Sequence, residues 1–526
     1  MRFTLPVAFA TVVFVLTAGF LPIFDPDFFW HVKIGELIRQ TGMLPNSEVF
    51  SHTAQGQPWV IQSWVSDVVL AYVWESAGIV GIRLLVAGSL TVIWLLTYQT
   101  VRLYMARMGT AVLLSGLAVL LIVPALAPRP TMMTALCLAL TLYSLLAFRR
   151  SGELWWLLIL PPLFVLWPNL HFGYIVGLGL IALFALSDLL ARVIPIAHEH
   201  REAGTLIARG PALICLLCVA AIGANPYGYG VLWETVRMSL QGAASQVLEW
   251  RSPSFSDGTG KLFYGAISIF IIARSFARRS IHWLDIVVPL TFIGAALSAV
   301  RHIPLMGIVL MPFLARAFAN WESDVFVVAK RAVTGLGSAA ARDLGPRAVA
   351  IINLAFVACV VVVTVLLAPA ADRHYGEKRV RLQPSGAADF LITHNLSGRL
   401  FNTYDGGGYL IYRLYPWQQV FIDGRYNPYP KQVIEDYFSI TDGKPSWFAT
   451  LQSYGIDIVL CENNSAFRQL MLSRIEFRLV YEDQHYSVLV RDIDRFRDLP
   501  TAESAMAPMR RNLGLSTPEF ASEVGR

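Results

Sequence analysis

Two carboxylates two residues apart open the segment Asp25-Pro26-Asp27-Phe28-Phe29-Trp30-His31, directly after an apolar run at residues 4–24. That run is long enough to cross a bilayer, so the acids stand where a span meets water. Ionisable groups at such a boundary are costly to hold near lipid and are functional candidates by default. Three chemistries suit the pair. One acid could take a proton from an acceptor hydroxyl. Asp25 and Asp27 could instead hold a divalent metal, Mg or Mn, against a phosphate. Or they could cap and salt-bridge the helix that follows, with Asp27 just before its start.

Cations stand at other span ends. Arg129 sits between Pro128 and Pro130, His171 follows Trp167-Pro168-Asn169-Leu170, and Arg301 precedes His302. A guanidinium pairs bidentately with phosphate, although a lone boundary arginine is often a snorkelling anchor. Several cations facing two acids point to a phosphorylated, membrane-borne ligand, with Arg129, His171, Arg301 and His302 as its phosphate contacts. In Glu249-Trp250-Arg251-Ser252-Pro253, an aromatic flanked by charges can stack on a sugar ring while its neighbours bind the hydroxyls. The same pattern also suits an interfacial anchor.

The elements that must position these residues are membrane helices. Only 15% of the 526 residues are charged, against roughly 25% in soluble domains. About eleven apolar stretches of spanning length follow one another, at residues 4–24, 83–101, 110–125, 131–148, 154–168, 172–190, 211–224, 262–277, 283–299, 303–318 and 349–369. Residues 1–24 lack a small-x-small cleavage pattern before Asp25 and read as a retained span. With the N-terminus cytoplasmic, the inner loops carry Arg102 and Arg107, Arg149 and Arg150, Arg192, Arg201 and Arg209, Arg274, Arg278 and Arg279, then Lys330, Arg331, Arg342 and Arg347. Every inner loop is then basic. The net charge of +6 thus reflects orientation and not nucleic-acid binding.

Under that topology the polar exceptions share the outer side: loop 25–82, the Arg129 turn, the His171 turn, loop 225–261, Arg301-His302 and everything after residue 370. The first loop reads as helices Val32–Gln40, stopped at Gly42, and Gln62–Glu75. Residues 371–494 read as a small α/β domain, with helices at Pro384–His394, Lys431–Phe438 and Trp447–Tyr454. Its expected strands are Arg399–Asn402, Val420–Asp423, Ile456–Cys461, Phe477–Glu482 and Tyr486–Arg491. Residues 495–526 read as a disordered tail. Gly406-Gly407-Gly408 has no lysine beside it and is not a phosphate cradle. Asp423-Gly424-Arg425 reads as a fold salt bridge or an acceptor contact. Cys215 and Cys218 lie in an apolar helix and read as packing, and Cys461 is alone in its domain.

These pieces resemble the GT-C superfamily of polytopic glycosyltransferases, and more closely a set of GT-C-like bacterial inner-membrane proteins. The residues that carry the resemblance are Asp25-Pro26-Asp27-Phe28-Phe29-Trp30-His31 with Gly35-Glu36, and Gly56-Gln57-Pro58-Trp59 with Trp64. Further on they are Trp167-Pro168-Asn169-Leu170-His171-Phe172-Gly173, Glu249-Trp250-Arg251-Ser252-Pro253, Tyr404-Asp405-Gly406-Gly407-Gly408-Tyr409-Leu410 and Phe421-Ile422-Asp423-Gly424-Arg425. The chain departs from the pattern at Phe28-Phe29, where a Trp fills the second place, and at Val60-Ile61-Gln62-Ser63, where a more polar stretch is expected.

The resemblance implies a polytopic α-helical membrane domain at residues 1–370 and a catalytic aspartate at Asp25 or Asp27. It implies a polyprenyl-phosphate-linked sugar donor taken from membrane lipid, and a glycan, lipid or protein acceptor. His31, Trp59, Trp64, Glu249, Trp250 and Arg251 are then contacts for acceptor or sugar. The implied place is a bacterial inner membrane, with a cytoplasmic N-terminus and the C-terminal domain in the periplasm. Two other classes stay open: a polysaccharide ligase or polymerase that works through Arg and His, and a transport or assembly protein for envelope glycans. Against transport, the span centres carry few charges and no inverted repeat of broken helices.

Overall fold

Uninterrupted apolar sequence satisfies its backbone within lipid only by folding as helix, and helices fill the first part of the chain. The computed structural model describes residues 5–20, 25–194, 205–241, 248–277, 281–319, 351, 354–355, 357–364, 383–425 and 427–500. Among these, Trp64–Arg102, Thr131–Ser151, Tyr174–Val193 and Val300–Phe318 are long and apolar enough to cross a membrane. Shorter apolar helices are Leu5–Phe20, Met108–Ile122, Trp155–Leu170, Arg209–Ile222 and Leu284–Ser298. A helix also runs Gly258–Ser275. The chain is a multi-pass membrane protein, and every expected span from 4–24 to 303–318 falls on a helix. The span 349–369 lies largely outside the described residues, as do Arg201, Arg278, Arg279, Lys330, Arg331, Arg342, Arg347 and residues 501–526.

Three local differences from expectation have physical causes. The helix expected at Gln62–Glu75 does not end there but continues to Arg102, with a break at Gly78 (φ 53°, ψ −144°). Only glycine adopts that backbone freely, so Gly78 turns the helix without ending it. Loop 225–261 contains a helix, Gly230–Gln241, hidden in the sequence by the glycines and tyrosines before it. Gly407–Leu414 is likewise a helix, to which the sequence reading assigned no element. Where a glycine was expected to stop a helix it does: Gly42 is left-handed (φ 67°) and its N–H returns to the Ile38 carbonyl at 2.8 Å.

Contacts divide the chain into two compact units. The first comprises Met1–Ile23, Gln62–Val69 and Val73–Ala371; the second comprises Phe24–Ile61, Leu70–Tyr72 and Asp372–Arg526. Composition alone assigns the loop after the first span to the membrane helices; by contacts, residues 24–61 pack with the C-terminal residues.

The first unit has a helical core around the fully buried Trp94, Phe148, Phe164, Trp167 and Phe184. The second is built on a four-stranded mixed sheet, β1 (Leu400–Phe401), β2 (Ile458–Glu462), β3 (Phe477–Glu482) and β4 (Tyr486–Arg491), in the order β1-β2-β4-β3. β1 pairs parallel with β2, while β2–β4 and β4–β3 are antiparallel. Helices Ser385–Thr393, Lys431–Thr441, Trp447–Ser453 and Ala466–Leu472 accompany it. The strand expected at Val420–Asp423 is only a single parallel bridge, Ser51 to Val420. Its true partner is the early loop: Val420 N–H donates to the Phe50 carbonyl (3.0 Å) and His52 N–H to the Val420 carbonyl (3.1 Å).

Candidate active site

In the first unit, four chain segments bring their polar residues together. The Arg129 turn is tightened by a bond from its own N–H to the Ala127 carbonyl (2.8 Å), and Thr131–Ser151 starts directly after it. The Arg129 guanidinium forms an ion pair with Glu249, which lies on a short turn, Leu248–Trp250. Next to Glu249, the Trp250 ring carries the Arg301 guanidinium 4.4 Å from its centroid, and Phe172 lies 5.6 Å from the same cation. A backbone bond from Val300 N–H to the Arg251 carbonyl (2.9 Å) ties the two turns. Arg301 is within electrostatic reach of both Glu249 and Arg129. Two guanidinium groups therefore lie about one carboxylate, a gathering of donors of the kind that binds anions.

The two histidines differ in polarity. Gly173 N–H donates to His171 Nδ1 (3.2 Å), so that nitrogen carries no proton. The Thr134 hydroxyl 2.7 Å away must then donate to it as well, and Thr134 in turn accepts from the Trp167 indole N–H (3.2 Å). His171 thus bears its proton on Nε2, the polarity a phosphate oxygen requires. At His302 the arrangement is reversed. Nδ1 lies 2.9 Å from the Ala295 carbonyl and donates to it, so in the neutral ring Nε2 is an acceptor and repels phosphate oxygens.

Trp64 is held by the fold. Its indole N–H donates to Asn169 Oδ1 (2.7 Å), which also receives the Asn225 amide (3.0 Å). Nearby, Thr235 of the unexpected helix Gly230–Gln241 donates to Gln62 (3.2 Å). Sequence reading missed this polar seam, whose one visible sign was Asn225 in a glycine-rich turn.

In the second unit, Asp25-Pro26-Asp27 forms a corner before helix Phe28–Thr41. Asp27 occupies the N-cap position but makes no side-chain cap bond. Asp25 does that work one step earlier, its Oδ1 accepting the Asp27 N–H (2.9 Å). Asp27 Oδ1 accepts the Trp30 indole N–H (3.2 Å). The capping role expected of Asp27 thus falls to Asp25, because the extra turn at Pro26 puts the earlier carboxylate over the free amide. His31 is buried, with its ring against Trp30.

A charged cluster beside this corner is buried. Arg425 donates to Glu48 (2.7 and 3.0 Å) and to Asp423 (2.7 and 2.6 Å), and Tyr429 bonds the same Asp423. Burial alone would weaken the Arg425 charge; Asp423 and Glu48 outweigh it and hold its pKa well above the ordinary value. Trp59, expected as an acceptor or sugar contact, is buried with the Arg425 guanidinium 4.7 Å from its ring centroid. Asp423-Gly424-Arg425 therefore serves the fold.

Asp405 keeps solvent access but sits among protein atoms, and this crowding, together with the Asp27 charge, raises its pKa above 3.8. Among the described residues there is no group of three His, Cys, Asp or Glu side chains placed to hold a metal. The metal reading of Asp25 and Asp27 thus rests on two acids, one carboxylate oxygen of each already hydrogen-bonded.

Asp25, Asp27, His31 and Trp59 belong to the second unit, and Trp64, Arg129, His171, Glu249, Trp250, Arg251, Arg301 and His302 to the first.

No family profile and no curated protein matches the sequence. Solved structures do match. The archaeal oligosaccharyltransferase AglB from Archaeoglobus fulgidus, in complex with an inhibitory peptide and a dolichol-phosphate, superposes with a TM-score of 0.51 at 9% identity, over 86% of this chain and 68% of its own. The apo form of the Archaeoglobus fulgidus oligosaccharyltransferase also gives 0.51, at 10% identity over 93% and 74%. ArnT from Cupriavidus metallidurans in the apo state gives 0.51 at 14% identity, over 92% of this chain and 97% of its own. The chain is thus similar in fold to GT-C glycosyltransferases over most of its length.

Proposed function

We propose that this protein is a membrane glycosyltransferase that moves a sugar from a polyprenyl-phosphate donor to an acceptor at the outer face of a bacterial inner membrane. The observation that carries the reading is the gathering of Arg129, Glu249, Trp250 and Arg301 at one place in a chain with a glycosyltransferase fold. A lipid phosphate is already a fair leaving group. The enzyme needs positive charge where the phosphate departs and a base for the acceptor hydroxyl. Arg301 and Arg129 supply the first, with the neutral His171 ring as a hydrogen-bond donor through Nε2–H, whereas the polarity of His302 suits an anion less. Asp27 or Asp25 supplies the second. The acceptor proton passes to the carboxylate, the acceptor oxygen bonds the anomeric carbon, and the C–O bond to phosphate breaks. The N-terminus is cytoplasmic and the C-terminal domain periplasmic in this reading, with the acceptor a glycan, lipid or protein.

The test is transfer from a polyprenyl-phosphate hexose by the full chain in lipid nanodiscs, with envelope glycolipid extract as acceptor. Asp27→Asn and Asp25→Asn are made singly and together. The double variant should lose about 100–10,000-fold in turnover, the range a general base contributes, while still binding the lipid donor. Parental turnover in the double variant would refute the aspartate mechanism and favour a ligase or scaffold.

A further inference from the structure

Two glycine-bearing segments of the C-terminal chain close on the Asp25-Pro26-Asp27 corner within the second unit. A Cβ added to Gly424 would overlap Asp27 Oδ1 and stand 3.1 Å from its Cγ. One added to Gly408 would overlap the Pro26 carbonyl and stand 3.3 Å from Trp30 Cδ1. Real Cβ atoms do not tolerate such overlaps, so only glycine lets these backbones approach. The Asp27 carboxylate is thus walled by Gly424 and bonded through Oδ1 by the Trp30 indole (3.2 Å). Trp30 is itself placed, with Gly408 at one edge and the Arg425 guanidinium 5.8 Å from its centroid. Arg425 cannot drift, because Glu48 and Asp423 bind it in the interior and Phe50 and Trp59 flank it.

We infer that Trp30, Gly424, Gly408 and Arg425 are positioning residues for the Asp27 carboxylate. They fix where that carboxylate stands and which way its Oδ1 points. This rests on the reading of Asp27 as the base. Their sequence pattern follows from the task. A tryptophan three positions after the acid brings an N–H back along the first helical turn, and a Gly-Arg pair brings close backbone approach and a fixed cation together. A base displaced by an ångström loses on the order of 100-fold, so glycine walls matter to rate even though they touch no substrate.

Two readouts test this. Trp30→Phe keeps a ring but removes the donor. In the nanodisc assay its kcat should fall about 10–100-fold with KM for the polyprenyl-phosphate hexose within about 3-fold. In an Asp27→Asn background, Trp30→Phe should add no further loss. A merely structural Trp30 would lower both backgrounds alike, and that result overturns the inference.

The second readout needs no turnover. In protein carrying 5-fluorotryptophan, the fluorine resonance that disappears in Trp30→Phe reports the Trp30 indole. It should shift in Asp27→Asn, which replaces the carboxylate that its N–H meets. A resonance indifferent to Asp27→Asn refutes the positioning role. Parental activity in Asp27→Asn, with the resonance shifted, instead refutes the base reading alone. Gly424→Ala should reproduce the kcat loss, whereas Gly88→Ala, which meets nothing within 4 Å, should leave kcat unchanged.

Discussion

Glu48 and Arg425 stand 377 positions apart and form a buried, two-pronged ion pair at 2.7 and 3.0 Å. Neither side chain is more than 2% exposed. The pair fastens the loop after the first span to the C-terminal sheet unit, and it shares Arg425 with Asp423. Taking one member away strands the others in a low-dielectric interior. Arg425→Met should therefore lower the stability of the second unit by about 3–5 kcal/mol, and Glu48→Gln by less, since Asp423 still pairs Arg425. Thermal unfolding of the detergent-solubilised full chain, read by limited proteolysis of residues 383–500, checks the order. Equal melting of Arg425→Met and parent would contradict it.

His52 gives a pH dependence with a definite sign. Burial lowers its pKa from 6.5, against an opposing bond to the Leu400 carbonyl. The folded ring therefore binds fewer protons than the unfolded one below pH 6.5, and stability falls as pH drops through that value. His52→Gln should flatten the melting temperature between pH 6.5 and 5 relative to the parent.

Asp405 has the opposite sign. Desolvation by the protein atoms around it and then the Asp27 charge raise its pKa from 3.8. Its ionised form therefore opposes folding above the folded pKa, and the penalty fades as pH falls toward 3.8. Asp405→Asn should raise the melting temperature at pH 7, with a gain that vanishes near pH 4. A gain independent of pH would rule out the charge as its cause.

Gly173 and Gly179 form an internal comparison on one helix end. A Cβ at Gly173 would overlap Thr134 Oγ1, whereas Gly179 meets nothing within 4 Å. Gly173→Ala should thus displace Thr134 and release His171 Nδ1, cutting transfer about 10-fold or more by misplacing a phosphate donor. Gly179→Ala should leave transfer unchanged and hold or slightly raise thermal stability. Equal rates in the two variants would show that the Thr134–His171 bond does not matter to turnover.

Arg301 lies over Trp250 as a flat guanidinium, a geometry that lysine does not reproduce. Arg301→Lys should keep the charge yet lose roughly 10-fold in affinity for the lipid donor, with Arg301→Gln lower still. Titration of a fluorescent polyprenyl phosphate into nanodiscs measures both.

The helical part was legible because apolar length and flanking arginines report spans directly. Boundaries failed between Glu75 and residue 83, where a helix and a span read as separate are one helix bent at Gly78. The helix Gly407–Leu414 had no sign in the sequence, because its glycines serve close packing against Pro26 and Asp423. Asp25, Asp27, Arg129, Glu249 and Arg301 could be singled out as candidates from their places beside spans, and the Arg129–Glu249 ion pair joins two of them. The division of labour between Asp25 and Asp27, the opposite tautomers of His171 and His302, and the burial of Trp59 under Arg425 depend on contacts between residues far apart in sequence. No local pattern encodes them.

The partnership of an early loop with a late sheet also imposes an order on biosynthesis. At roughly 5–20 residues per second, the 377 positions between Glu48 and Arg425 take about 20–75 s to translate. Through that interval Glu48 stays hydrated while helix after helix enters the bilayer. The corner that carries Asp27 gains its walls only once Gly408 and Gly424 have been made, so a nascent chain halted before them has no assembled acid corner.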